Sequence, residues 1–147
     1  MKMLTTLALL LFTACASPRG SSPSREAEVM QADRQFAWDV QQRRLDAWVE
    51  AFDAHGSQVD EQGAPVTGHD AIRAYMQGAF ADIRFELEWA PVEARVPDGG
   101  NLGFVWGHWT LRSGAEESHG RYLDIWKRGA DGKWKLLFDV GEGAPKN

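Results

Sequence analysis

The chain carries a single cysteine, Cys15, among its 147 residues. Without a second thiol there is no internal disulfide and no thiolate cluster to hold a metal. The four histidines, His55, His69, His108 and His119, keep none of the close spacings by which imidazoles share an ion, so the sequence supplies no metal site. Lysine and arginine are scattered and the net charge is −5, which argues against nucleic acid as a partner. There is no Gly-x-Ser-x-Gly run and no glycine loop of the kind that cradles phosphate. Nucleophilic hydrolysis and nucleotide chemistry lose their usual signatures, and no cofactor is implied. The apolar stretch Leu4 to Phe12 is far short of the roughly 18 residues that a membrane-spanning helix needs.

What is present is the composition of one folded domain. Hydrophobic residues make up 44% and charged residues 25%, a globular rather than disordered balance, and the length suits a single core. Seven Trp and seven Phe are many for such a chain. They imply large packed aromatics, an aromatic-lined cavity, or both.

The first 14 residues read as a signal peptide, with Lys2 as a basic lead-in and Leu4 to Phe12 as its apolar segment. Phe12-Thr13-Ala14-Cys15 resembles the lipobox of bacterial lipoproteins, with Phe where Leu is commoner. That resemblance implies cleavage before Cys15 and lipidation there, a membrane anchor. Ala16, in place of an inner-membrane retention Asp, implies an outer-membrane location facing the periplasm. The alternative is an ordinary signal peptide with an incidental cysteine. Residues 15–24 are rich in Ser, Pro and Gly and read as a flexible tether, leaving 25–143 as the folded domain.

Helical periodicity comes first. A helix is expected from Ser22–Ser24, with Ser22 as cap and Val29, Phe36 and Val40 as its apolar stripe. Asp33 falls inside that stripe, either at its edge pairing with an arginine or turned toward a cavity. Gln41 to Arg44 break the pattern, and Leu45, Trp48, Val49 and Phe52 mark a second helix ending at Gly56. Gln58 to Asp60 suggest a short strand. A third helix, His69 to Phe80, carries Ile72, Tyr75, Met76, Ala79 and Phe80 on one face.

The period then changes to two. Ile83, Phe85, Leu87 and Trp89 alternate with charged residues, and Ala90-Pro91 marks a bulge before Val92, Ala94 and Val96. Asp98 to Asn101 turn the chain into a strand over Leu102 to Leu111. Ser113-Gly114 turns it again. Arg121 to Asp139 form a hairpin around Asp131-Gly132, with Gly132 at a positive-φ position. Helices followed by an antiparallel meander read as α+β.

Three pieces of this order carry a family resemblance: Ala32 to Ala37, Val66 to Arg73, and Gly120 to Arg128 with Asp131 to Trp134. Over about Glu26 to Gly141 the chain resembles the SnoaL-like, ketosteroid-isomerase-like superfamily with its nuclear-transport-factor-like cone fold. It is most similar to a bacterial branch defined as a domain of unknown function. The resemblance implies three N-terminal helices packed into the concave face of a curled antiparallel sheet, a cone-shaped barrel enclosing one pocket. It implies no one activity, because the superfamily holds isomerases, cyclases, dehydratases, ligand-binding domains and oligomerisation domains. Relatives commonly pair through the sheet, which implies a homodimer.

Candidate pocket residues are Phe36, Trp48, Tyr75, Trp106, Tyr122, Trp126 and Phe138. Phe104, Trp106, His108 and Thr110 share one strand face, and Tyr122, Asp124 and Trp126 share a face on the next. Asp124 stands mid-strand between apolar neighbours, where an acid is costly unless paired or lining a wet cavity. With His108 across from it, the two make a general base and its orienting partner. The alternative is a structural ion pair between strands. Phe138 and Val140 bring apolar character to the last strand and imply a greasy pocket. Three readings follow: a module binding an apolar small molecule, an isomerase, dehydratase or cyclase using Asp124, or a dimerising interaction domain without a ligand.

Overall fold

A computed structural model describes residues 23–143. The leader, Cys15 and most of the tether lie outside the described residues. Helix α1 (Arg25–Arg43) opens on Ser24, two residues later than the expected Ser22 cap, with the Ala27 N–H donating to Ser24 Oγ at 3.2 Å. That bond satisfies one of the four free N–H groups of the first turn. Helix α2 (Leu45–Ala51) follows after a sharp corner at Arg44, which takes a φ of 51°. The Arg44 guanidinium donates to the Phe80 and Asp82 carbonyls at 3.0 and 2.9 Å, so the corner between the first two helices also caps the end of the third. That third helix is α3 (His69–Ala81).

Six strands complete the domain: β1 (Phe52–Val59), β2 (Pro65–Thr67), β3 (Phe85–Arg95), β4 (Leu102–Ser113), β5 (Glu116–Arg128) and β6 (Trp134–Gly143). They form one sheet in the order β2-β1-β6-β5-β4-β3. The expectation of three helices over a curled sheet in an α+β chain holds. Two of its details change. The sheet is mixed rather than antiparallel, because β1 lies parallel to β6, and it stays open, with β2 and β3 as edges rather than closing a barrel.

The parallel strand explains why the second helix stops at Ala51 and not at Gly56. Phe52 begins β1, is 1% exposed and pairs with Leu136. Residues Asp53 to Gln58 show no clean alternation, and their partner lies some eighty residues away in β6. Local pattern therefore suggests only the end of the strand, at Gln58 and Val59, which also pairs with nearby β2. Ile83 also leaves the expected strand: β3 starts at Phe85, and Ile83 is 87% exposed. The irregularity near Pro91 is present, between Pro91 and Glu93 in the pairing of β3 with β4. Gly132 has φ 81°, as the Asp-Gly turn requires.

The core lies between α1, α2 and the inner sheet face. Phe36 is its hub, with ring centroids 5.3 Å from Trp48, 4.8 Å from Trp89 and 6.0 Å from Trp126. The edge-to-face angles with the last two are those aromatic pairs favour. Val29, Val105, Ile72 and Leu136 are fully enclosed around it. Burying side chains of this size is worth about 1.5–3 kcal/mol each relative to exposure. Much of the aromatic content is thus committed to packing, and the remainder is left for a cavity.

Candidate functional site

Strand alternation decides which side chains can meet. On β5, Tyr122, Asp124 and Trp126 point inward. Their partners across β4 are Gly107, Val105 and Gly103; across β6 they are Gly141, Asp139 and Leu136. The absence of a side chain at Gly107 gives the Tyr122 ring its place. A Cβ there would lie 2.7 Å from Tyr122 Cε1 and would also meet the Ala90 carbonyl.

Above these residues α1, α2, α3 and β3 leave a cavity of about 220 Å³. Its walls include Phe36, Trp48, Tyr75, Trp89 and Trp109, and its polar floor is Tyr122, Asp124 and Asp139, with Gln58 at one side. Gln58 is spoken for, since its Oε1 accepts from Trp48 Nε1 at 2.7 Å.

The floor continues into a third carboxyl. Asp33 of α1 is fully buried and accepts a hydrogen bond from the Tyr122 hydroxyl at 2.9 Å. Asp124, 2% exposed, stands between Asp33 and Asp139, the latter directly opposite it on β6. Three acids in one place cannot all ionise. Burial raises Asp124 well above the usual carboxylate range, and the charges of Asp139 and Asp33 raise it further. Its hydrogen bonds to both neighbours raise it too, so the carboxyls here share their protons as one linked group.

Burial also lifts Asp139, to about 6, although the bond from Asp124 restrains it. Asp33 is raised by burial and held back by Tyr122. The Tyr122 hydroxyl is pushed upward by burial and by the acids around it, so it remains a donor. Asp33 Oδ2 and Asp124 Oδ1 have no hydrogen-bond partner among the described residues.

The expected site residues divide by face. Phe36, Trp48, Tyr75, Tyr122 and Asp124 come together at the cavity, with Tyr75 at its rim, 41% exposed. Trp126 is buried behind Phe36 and faces a second depression beside Trp134 instead. Trp106, His108 and Phe138 are on the outer face. His108 pairs with Arg121, while Asp124 pairs with Val105, so the sheet separates the expected base from its expected partner. Phe138 pairs with Ile125 and Val140 with Leu123, also outward. The inward residue between them is Asp139, which the sequence reading passed over.

Asp33 was legible as an acid in an apolar stripe, and the structure gives it neither the edge arginine pair nor a place on the cavity wall: it is fully enclosed behind the floor, bonded to Tyr122. The signal for Asp139 was the same alternation that placed Asp124. What was missing was the pairing of β5 with β6, whose register shifts between Ile125 and Trp126.

Solved structures share this architecture at low identity. A ketosteroid isomerase-like protein from Erwinia carotovora atroseptica superposes with a TM-score of 0.71 at 14% identity, over 83% of this chain and 98% of that one. A domain of unknown function with a cystatin-like fold from Nostoc punctiforme gives 0.66 at 17% identity, over 80% and 76%. A putative calcium/calmodulin-dependent protein kinase type II association domain from Thiobacillus denitrificans gives 0.63 at 20%, over 78% and 93%. These likenesses concern fold alone. Among curated proteins none matches. The family model for the SnoaL-like domain matches residues 32–137, and the chain belongs to that family.

Proposed function

We propose that this protein binds a compact, largely apolar small molecule in the cavity between its helices and the inner sheet face. The observation that carries the reading is a cavity walled by Phe36, Trp48, Trp89 and Trp109 whose polar groups converge on one floor. At about 220 Å³ it falls below the ~300–1,000 Å³ common for drug-sized ligands, which favours a small ring system over an extended one. The test uses 2-naphthol as a neutral probe. Saturable quenching of tryptophan fluorescence is expected for wild type, and its loss in Met76→Trp, which fills the cavity. Equal response of both proteins would overturn the reading.

An acid–base enzyme of the isomerase or dehydratase kind is the second reading, favoured by the Asp124–Asp139 pair. The two acids differ in proton affinity, so their roles differ from the expected ones. Asp139, largely ionised at neutral pH, is the base, and Asp124, which holds its proton, is the acid. Asp139 takes a proton from the carbon next to a bound carbonyl while Asp124 donates to the carbonyl oxygen, and reversal returns both protons. Deuterium uptake from D₂O by 2-tetralone, rising through about pH 6 and lost in Asp139→Asn, is the expected result. Uptake unchanged in that variant would remove the enzyme reading.

A lipid anchor at Cys15 would hold this pocket at the cell envelope, on the outer membrane facing the periplasm. It predicts that wild type sediments with membranes and that Cys15→Ser does not; wild type confined to the soluble extract would refute it. The outer sheet face supports a second copy of the chain as partner. Two cross-strand rows lie there, Phe104–Ile125–Phe138 and Trp106–Leu123–Val140. Glu93, Arg95, Arg121 and Glu142 flank them with charges of both signs, which a two-fold axis can oppose.

A further inference from the structure

The cavity has aromatic walls and acids at its floor, and no Lys, Arg or His among its lining residues. We infer that its ligand is a small organic cation, a compact amine or ammonium whose charge sits over the carboxyls while its apolar body rests among the aromatic rings. This rests on the pocket reading above and names the chemical class that the pocket takes.

Three observations support it. Trp48, Trp89, Trp109 and Phe36 border one small volume, and aromatic rings attract cations most where water is excluded. Asp124 lines the same volume at 2% exposure, and its Oδ1 has no partner among the described residues, so that oxygen is free to accept from a ligand. The third observation is which groups line this cavity or lie against its acids. They are Asp33 from α1, Tyr75 from α3, Tyr122 from β5 and Asp139 from β6; α2 and β1 contribute the neutral Trp48 and Gln58, β3 and β4 Trp89 and Trp109. Every titratable group in that set is an acid or a phenol.

A negative charge on this floor at neutral pH therefore has no counter-charge among the described residues lining it. Buried charges of that kind are costly unless paired. A neutral ligand would leave the cost in place, and an anion would add to it. An ammonium removes it and makes charge-assisted hydrogen bonds to the carboxyls. It also keeps Asp139 ionised, so binding strengthens as the pH rises through about 6.

Three ligands with one ring system separate the charge from the shape: 2-naphthylmethylammonium, 2-naphthylmethanol and 2-naphthoate. Each is titrated against the full chain in detergent, with tryptophan fluorescence as the readout. At pH 7.5 the ammonium is expected to bind at least about tenfold more tightly than the alcohol, and the carboxylate more weakly still. The preference should fade at pH 5. Asp139→Asn should lose the preference while still binding the alcohol, and its melting curve checks that it is folded. An alcohol that binds as tightly as the ammonium in wild type at pH 7.5 overturns the cation and leaves the pocket standing. Failure of all three to bind overturns both.

Discussion

The Tyr122 hydroxyl donates to Asp33 Oδ1 at 2.9 Å, joining the inner face of β5 to the middle of α1 across 89 residues of sequence. Both residues are buried, and the bond lies beside the acids at the cavity floor. Tyr122→Phe keeps the ring and strands a buried acid, so it is expected to cost about 1–3 kcal/mol in urea denaturation. Asp33→Asn still accepts from Tyr122 and removes an acid that burial disfavours in its ionised form. It should cost less than about 1 kcal/mol, or stabilise. If Asp33→Asn proves the more damaging change, Asp33 is ionised and paired in a way this geometry does not contain.

Stability should fall, not rise, as the pH climbs from 5 to 7.5. An acid with a folded pKa above its unfolded value binds more protons when folded. Its contribution is complete below the unfolded value near 4 and is lost as the pH passes the folded value, about 6 for Asp139. Asp33 and Asp124 are shifted in the same direction. Exposed acids work oppositely: Arg84 holds Asp82 down to about 2, so that contribution fades only in strong acid. Thermal melts across pH 3.5 to 8 are expected to give the highest Tm near pH 5, and Asp139→Asn to reduce the loss above it by roughly 1–3 kcal/mol. A Tm that increases steadily from pH 5 to 8 contradicts the buried acid cluster.

Gly107 tests the placement of the Tyr122 ring. A methyl group at this position has no room against Tyr122 Cε1 or the Ala90 carbonyl, and the latter, as backbone, cannot swing aside. Gly107→Ala is expected to destabilise by about 1–3 kcal/mol, through strain in a packed site rather than through lost flexibility. Gly78→Ala, where the added atom meets nothing within 4 Å, serves as the control and should be neutral or stabilising. Equal midpoints for the two variants would mean that β3, β4 and β5 do not pair in this register.

The outer sheet face makes the fourth prediction. Trp106→Glu puts a charge at the head of the row that continues into Leu123 and Val140. If a second copy covers this face, sedimentation should show a dimer for wild type and a monomer for the variant. A wild-type monomer at micromolar concentration would leave the face without that partner.

Much of the architecture was legible in local pattern. Helical spacing announced α1 and α3 through Val29, Phe36, Val40, Ile72 and Phe80, because a helix half-buried on a sheet must repeat its apolar residues every three or four positions. The switch to alternation announced β3, β4 and β5, and Asp131-Gly132 announced the hairpin with its positive φ. These signals are short-range, and the sequence alone contains them. It also singled out Asp124 as an acid in apolar surroundings.

What tertiary structure decided was every relationship that depends on which strand lies beside which. The first part of β1 exists because β6 is there to receive it in parallel, and a pairing over that separation leaves no periodic trace in Asp53 to Gly56. The face that holds Asp124 was known relative to its own strand, but not relative to His108. One register assignment placed Arg121 opposite that histidine and Val105 opposite the acid. The same assignment brought Asp139 and, from α1, Asp33 to Asp124. Residue types along the chain set what each side chain can do. Only the pairing of distant strands, fixed by burial of one whole sheet face, decided that three acids and a tyrosine would share one floor.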